Sequence, residues 1–514
     1  MATTKKKKSA LRKVKSLKKA SAPHIIVSAL AGTGKTTTIV EGLKELKGEG
    51  SSFTPSPQQE AIWDAIKLSS ADSTVCFVAF NKAIATELKD RVPEGVDAMT
   101  MHSMGMKSVL GTYGKLKVDN WRVPNMIADI LGKDLREIRK KNATALRASE
   151  RLVSLCKMNL LEPTEKNLLY LTTHYDIDLN ASQDTIFSLV PQVLDRCKAV
   201  DEDRCMNFDD MIWLPIINEL SVPKYDVLFV DECQDLNPCQ QQLALKAGRR
   251  LVLVGDRNQA IYAFAGADSK SITNMEDILA SKPEGCSVLP LTETRRCGKA
   301  IVEEARRFVS DFSAHVNNSA GSITTTKVDQ YQKLAVAGDM ILCRVNAPLV
   351  KECFRFIRNG QKANIKGRDI GVGLVSTVKK MKALDINDLA GKLSDWVDQE
   401  TNKENAKKNP NEAKLERITD RYECLCYFLE DCRTVEQVII KIEDMFKDKT
   451  VEGIMLSSIH KAKGLEASRV FFLQMKNCPC PHPMAKTVEA KEQELNLCYV
   501  AVTRSIHELI YVTD

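Results

Sequence analysis

Residues 25–36 read Ile25-Ile26-Val27-Ser28-Ala29-Leu30-Ala31-Gly32-Thr33-Gly34-Lys35-Thr36. A short apolar run rich in β-branched residues predicts a buried strand. The glycine-spaced turn that follows, closed by Lys-Thr, predicts a phosphate-binding loop that opens a helix from Lys35 to about Leu46. Glycines let backbone N–H groups turn inward around phosphate oxygens, and the helix N-terminus adds positive potential. Lys35 suits the β- and γ-phosphates of a nucleotide, and Thr36 suits Mg²⁺. The usual pattern begins with glycine; here Ala29 stands in that place.

A second stretch supports the first. Val227-Leu228-Phe229-Val230 is an apolar run ending in Asp231-Glu232-Cys233-Gln234-Asp235. A carboxylate at the tip of the neighbouring strand is where a P-loop enzyme holds its metal. Asp231 fits that role, and Glu232 fits the general base that activates water. Positive charge near the γ-phosphate is also required. Arg296, in Leu291-Thr292-Glu293-Thr294-Arg295-Arg296, and Arg504, in Tyr499-Val500-Ala501-Val502-Thr503-Arg504, are the candidates.

Outward from these motifs, the chain alternates strands with helices. Thr74 to Phe80 and Leu251 to Val254 read as further buried strands, as do Met340 to Leu342, Ile454 to Ile459, Val470 to Leu473 and Leu509 to Val512. Near-continuous apolar runs are the mark of parallel strands covered on both faces. Helical periodicity takes over at about 106–214 and 376–450. The expected domains are a basic disordered tail (1–22), a first motor domain (23–105 plus 215–282) with a helical insertion (106–214), and a second (283–375 plus 451–514) with a shorter one (376–450). The fold class is α/β.

The chain has 514 residues, 27% of them charged, and a net charge of +7. Nine of its 74 basic residues lie in residues 1–22, which hold no acid; the rest carries 65 basic against 67 acidic side chains. The tail reads as a phosphate-attracting arm or nuclear import signal, or as a solvated run. No run of about 18 apolar residues occurs, so no membrane span is expected. Sixteen scattered cysteines fit reduced thiols in a cytosolic compartment.

The ordered set of motifs resembles the UvrD/Rep-like superfamily 1 helicases. Phe80-Asn81-Lys82-Ala83 is similar to motif Ia, and Thr100-Met101-His102-Ser103 to the TxHS motif. Gly255 to Ala267, containing Gln259-Ala260-Ile261-Tyr262-Ala263-Phe264, is similar to motif III. Ser458 to Glu466 resembles motif V, and Glu494 to Ser505 motif VI. The resemblance implies two RecA-like P-loop domains with parallel sheets and ATP between them. Ala31, Gly32, Thr33, Gly34, Lys35, Thr36 and Thr37 would cradle ATP, and Thr36 with Asp231 would hold Mg²⁺. Gln259 would sense the γ-phosphate, Arg296 and Arg504 would be arginine fingers, and Glu466 would bind ribose. Phe80, Asn81, His102, Tyr262, Phe264 and His460 would lie along single-stranded DNA, where an aromatic face grips any base.

There are departures. No glutamine precedes the P-loop; a similar string, Ser56-Pro57-Gln58-Gln59, follows it. Gln58 is a candidate to read adenine, or part of a helix cap. Thr294-Arg295-Arg296 lacks the family's tyrosine, and Arg295 is the candidate to stack on the base. Leu495 and Asn496 replace a basic pair in motif VI. Cys478-Pro479-Cys480-Pro481-His482 is too tight for a usual zinc site and reads as a loop, and no nuclease carboxylate cluster follows motif VI.

The resemblance implies an ATP-dependent DNA helicase moving 3′-to-5′ in replication, repair or recombination. It would act at single-strand/duplex junctions, as a monomer, in the cytoplasm or nucleoid, or in a nucleus if the host is eukaryotic. A translocase that strips proteins from single strands, or a nucleotide-gated binding module, are the alternatives.

Overall fold

The computed structural model describes residues 22–514, apart from 176, 180–181, 262–269, 407–409, 431, 447–452, 484 and 486. The expected basic tail is almost wholly outside these residues, as are Tyr262 and Phe264. The described chain forms two compact units.

The first unit is built on β1 (His24–Ala29), α1 (Lys35–Lys47), α2 (Pro57–Lys67), β2 (Val75–Ala79), α3 (Lys82–Lys89) and β3 (Val96–Thr100). A run of helices follows: α4 (Met101–Tyr113), α5 (Arg122–Leu131), α6 (Leu135–Lys141), α7 (Ala143–Asn159), α8 (Glu165–His174), α9 (Gln183–Lys198) and α10 (Phe208–Ile217). The sheet resumes with β4 (Tyr225–Val230), α11 (Pro238–Ala247), β5 (Gly248–Gly255), α12 (Ser271–Ala280) and β6 (Cys286–Leu291).

The six strands pair in parallel in the order β3-β2-β4-β5-β1-β6. Because every strand runs the same way, the loops after Ala29, Ala79, Thr100, Val230 and Gly255 leave one edge. That edge is where ligands meet open parallel sheets. The order corrects one expectation. β4, which ends just before Asp231, is not the neighbour of β1; β5 lies between them.

The apolar runs divide by period two between two cores. Ile25, Val27, Val75, Phe77, Val227 and Phe229 pack against α1 and α2. Ile26, Cys76, Val78, Leu228 and Val230 share a core with the helices α4 to α10. The helical insertion is therefore the cover of one sheet face. At its centre Asp210, fully buried, accepts from Arg122 Nη1 at 2.7 Å, Lys157 Nζ at 2.7 Å and the backbone N of Asn207 at 2.8 Å.

The second unit comprises α13 (Lys299–Ala305), β7 (Ser322–Lys327), β8 (Met340–Cys343), α14 (Ala347–Arg358) and β9 (Ala363–Lys366). The helices α15 (Arg368–Met381), α16 (Ile386–Asn405), α17 (Glu412–Glu430) and α18 (Val435–Met445) come next, then β10 (Ile454–Ser458), β11 (Ala467–Leu473), α19 (Val488–Val502) and β12 (Ser505–Thr513). Its six strands are again parallel, ordered β7-β12-β11-β8-β10-β9. Leu374, Val378, Leu389, Leu425, Phe428 and Ile442 of the α15–α18 helices share one core with Ile341, Leu456 and Phe471 of the sheet. Cys424 and Cys432 belong to that core too. Among the described residues no helix is long and apolar enough to cross a membrane.

Candidate active site

The loop after β1 depends on two glycines. Gly32 has φ +67°, and a Cβ there would lie 2.5 Å from Arg296 Cβ and 2.6 Å from Thr294 Oγ1. Gly34 faces open space, but its φ of +78° disfavours any side chain. Thr33 Oγ1 donates to Leu30 O at 2.9 Å, tightening the turn. α1 then begins at Lys35 with no acidic residue in its first turn, so its positive end is not neutralised locally.

Four expected residues come together here. Thr36 Oγ1 donates to Asp231 Oδ2 at 3.0 Å, and Lys35 Nζ lies 3.8 Å from Glu232 Oε1. Asp231 is buried, and its Oδ1 accepts the backbone N–H of Glu232 at 2.9 Å. Burial first, and then the neighbouring Glu232 charge, push the Asp231 carboxyl up to about 6; Lys35 opposes them. A hydroxyl beside a carboxylate is a hard-oxygen pair, the donor type magnesium prefers. The donor set therefore fits that ion, and the glycine turn fits a phosphate chain.

Glu232 sits at φ +52°, a left-handed backbone that costs a side-chain-bearing residue about 1–2 kcal/mol. Gln234 anchors its carboxylate. Its Nε2 donates to Glu232 Oε2 at 2.5 Å, and its Oε1 accepts the backbone N of Asp256 at 3.1 Å. A Cβ on Gly255 would lie 2.4 Å from that same Oε1. Sequence reasoning gave no role to Gln234 or Gly255. The signal available was an amide two residues beyond the acid, and the glycine ending β5.

Thr37 is exposed, and its Oγ1 accepts a long 3.5 Å bond from Arg91 Nη2. α2 braces α1: Gln59 Nε2 donates to Thr38 Oγ1 at 3.0 Å and Trp63 Nε1 to Thr38 O at 2.8 Å. The capping box of α2 is formed by Ser56 and Gln59. Gln58, beside it, is half-buried.

Other expected residues lie in the second unit, which also takes in Leu30–Gly34 and the segment from Asn258. Ala31 N donates to Tyr499 Oη at 2.9 Å, and Arg295 N to Gly32 O at 3.0 Å. Buried Gln259 offers its backbone carbonyl to Lys463 Nζ at 2.8 Å. Arg296 Nε pairs with Glu466 Oε2 at 2.5 Å, so the expected finger and the expected ribose ligand face each other. Arg295 is exposed. Arg504 is buried, its Nε donating to Val500 O at 2.9 Å and its Nη1 to Leu465 O at 3.0 Å.

The expected nucleic-acid residues separate likewise. Phe80, at the tip of β2, is 54% exposed. Asn81 caps α3, its Oδ1 accepting Ile84 N at 2.9 Å. His102 lies 5.5 Å, ring to ring, from Phe208, which is 53% exposed. Burial lowers the pKa of His102. Phe208 was not anticipated; its signal was an aromatic at the first position of a helix after the capping residue Asn207.

His460 lies elsewhere, in the second unit, held neutral by burial and then by the Arg344 charge; its pKa is pushed down to about 4. Arg344 Nη2 pairs with Glu494 at 2.7 Å, and its Nη1 with Glu416 of α17. Asp420, also of α17, accepts the backbone N–H groups of Asn346 at 2.9 Å and Ala347 at 2.6 Å, capping α14 from a distant part of the chain. Cys480 Sγ lies 3.3 Å from Cys498 Sγ, and His482 Nε2 3.6 Å from Glu416. Among the described residues no three metal-ligating side chains converge.

The chain is 23% identical over 93% of its length to chicken (Gallus gallus) F-box DNA helicase 1, of which it spans 46%. It is 23% identical over 94% of its length to ATP-dependent DNA helicase UvrD2 of Mycobacterium tuberculosis, spanning 75% of that protein. It is 21% identical over 95% of its length to ATP-dependent DNA helicase PcrA of Staphylococcus aureus, spanning 81%. Residues 12–279 match the UvrD/REP helicase N-terminal domain and residues 291–513 the UvrD-like helicase C-terminal domain, so the chain belongs to the UvrD/REP helicase family.

Proposed function

We propose that this chain is an ATP-driven motor that moves 3′-to-5′ on single-stranded DNA and opens duplexes at single-strand/duplex junctions. One observation carries the reading: Thr36 and Asp231 meet at 3.0 Å while Lys35 stands 3.8 Å from Glu232. That is a phosphate-binding lysine, a hydroxyl–carboxylate metal pair and a base in one cluster.

In this reading Lys35 and the N–H groups from Gly32 to Thr37 hold the phosphates, with Gln58 and Arg295 toward the base and Glu466 toward the ribose. Thr36 and Asp231 would hold Mg²⁺, which would supply neutralising charge to the phosphates. Glu232 takes the proton of the attacking water, and Gln234 fixes its orientation. Gln259, Arg296 and Arg504 respond to the γ-phosphate. Phe80, His102 and Phe208 stack bases of the track, joined by Asn81, Tyr262, Phe264 and His460. The setting is replication, repair or recombination, in the cytoplasm, nucleoid or nucleus, with the chain acting as a monomer.

A second reading is a translocase that displaces proteins without strong unwinding. The packing of α15–α18 into the same core as the sheet favours it, since such helices form no separate body to engage a duplex. The test is ATP-dependent strand separation on duplexes with a 3′ or a 5′ tail, with Lys35→Ala as control. Unwinding from the 3′ tail alone supports the first reading. DNA-stimulated hydrolysis without unwinding supports the second. Unwinding from the 5′ tail overturns the polarity, and neither activity overturns the motor.

A further inference from the structure

The segment that follows β11 brings together two thiols that the nucleotide cluster does not use. Cys480 Sγ lies 3.3 Å from Cys498 Sγ, which stands inside α19. Their side chains share the core of Ile301, Val302, Leu497 and Val500. Cys478, two residues earlier, belongs to the other core, where it is hydrogen-bonded to Cys343. Buried cysteines commonly serve as small apolar side chains. That use needs burial and nothing more.

Here the two backbones are also held in register. Gln474 clamps Cys480 on both sides: its Nε2 donates to Cys480 O at 2.9 Å, and its Oε1 accepts Cys480 N at 3.1 Å. His482 N donates to Glu494 Oε2 at 2.8 Å. Glu494 and Cys498 are one turn apart, so they share a face of α19, and the loop is fixed to that face at both ends of the turn. A disulfide holds its sulfurs about 2.05 Å apart, so closure from the present contact takes about 1 Å of movement. Cys480 is 7% exposed and Cys498 2%, and exposed Pro481 follows Cys480 directly, so a small oxidant has a short way to travel. The hydrogen bond to Cys498 and then burial keep the Cys480 thiol protonated, while Arg344 pulls the other way. Oxidation is therefore slower than at an exposed thiolate.

We propose that Cys480 and Cys498 form a modification site, a dithiol that a peroxide converts reversibly to a disulfide, and that the disulfide weakens nucleotide binding. In the reaction two S–H bonds and the peroxide O–O bond break, and one S–S bond forms. Two electrons pass from the sulfurs to the peroxide, whose oxygens leave with the two protons as two waters. A thiol such as dithiothreitol reverses the change by exchange. The effect on nucleotide rests on the motor reading. Cys498 precedes Tyr499, whose hydroxyl accepts Ala31 N of the P-loop sequence at 2.9 Å. Drawing α19 toward the Cys480 loop moves that hydroxyl and strains the bond.

The test treats the folded, reduced chain with hydrogen peroxide, alkylates the remaining thiols under denaturing conditions, and maps the peptides without reductant by mass spectrometry. The expected result is a peptide linking Cys480 to Cys498, absent from Cys480→Ala. The KM for ATP of the oxidised wild type rises about twofold to tenfold, the range that weakening one hydrogen bond allows. Dithiothreitol returns it to the reduced value, and Cys480→Ala keeps its KM through peroxide. Recovery of both cysteines as alkylated thiols, with circular dichroism showing the fold kept, overturns the site. A Cys343–Cys478 link formed in its place does the same. The expected link with an unchanged KM overturns the effect on nucleotide. Should Cys480→Ala fail to fold, the wild-type map and the dithiothreitol reversal decide. Absence of ATP hydrolysis in the reduced wild type would remove the motor reading instead, while the peptide map still reports on the thiol pair.

Discussion

The hydroxyl of Tyr499 accepts the backbone N–H of Ala31 at 2.9 Å, with the ring fully buried and edge-on to Phe312. A residue of the P-loop sequence is thus tied to the helix that ends just before Arg504. Tyr499→Phe keeps the ring and leaves a buried N–H without its acceptor, which costs about 1–3 kcal/mol. We expect a lower Tm by calorimetry and a raised KM for ATP, since the loop loses a fixed point. An unchanged KM would mean that the bond does not position the loop for nucleotide.

Phe208 extends the ring surface begun by His102. Loss of one base-stacking ring costs about 1–3 kcal/mol. Phe208→Ala should weaken single-strand binding by about fivefold to 150-fold, measured by fluorescence anisotropy, and leave DNA-independent hydrolysis unchanged. Equal affinity would remove Phe208 from the track.

Asp210 pairs with both Arg122 and Lys157, all three buried, and Arg122 pairs with Asp203 as well. Those partners hold its carboxyl below the usual range despite burial. Asp210→Ala leaves buried Lys157 without its carboxylate and Arg122 with Asp203 alone, and removing one partner of such a buried set costs about 3–5 kcal/mol. Urea unfolding should report that loss. A destabilisation under about 1 kcal/mol would show that water reaches the triad.

His460 titrates at about 4 in the fold against 6.5 when unperturbed. The unfolded chain therefore binds the proton more tightly. The stability this neutral ring retains is complete above pH 6.5 and is lost as pH falls toward 4, by about 2 kcal/mol between pH 7 and pH 5. His460→Gln should flatten that part of the pH profile in chemical denaturation. Identical profiles for variant and wild type would mean that the ring is not desolvated.

The strands, the P-loop and the acid pair were legible in the sequence because each is local. Ile25 to Val27 and Val227 to Val230 are apolar on both faces, and only a covered parallel strand needs that. Gly32 and Gly34 are glycines for backbone reasons that a short window already contains. The second unit's candidates, Arg296, Arg504, Gln259 and Glu466, were reachable only through motif order, since a lone arginine looks like any surface arginine.

What tertiary structure alone decided is partnership. That Thr36 reaches Asp231 across the intervening β5, that Arg296 pairs with Glu466, that Gln234 holds Glu232, and that Asp420 caps α14 from a helix seventy residues away are outcomes of which strands pair and which helices cover them. Side-chain period and turn chemistry act over a few residues. Strand order and long-range hydrogen bonds depend on packing the whole chain, so the residue types announced a nucleotide site and the fold determined which of them meet.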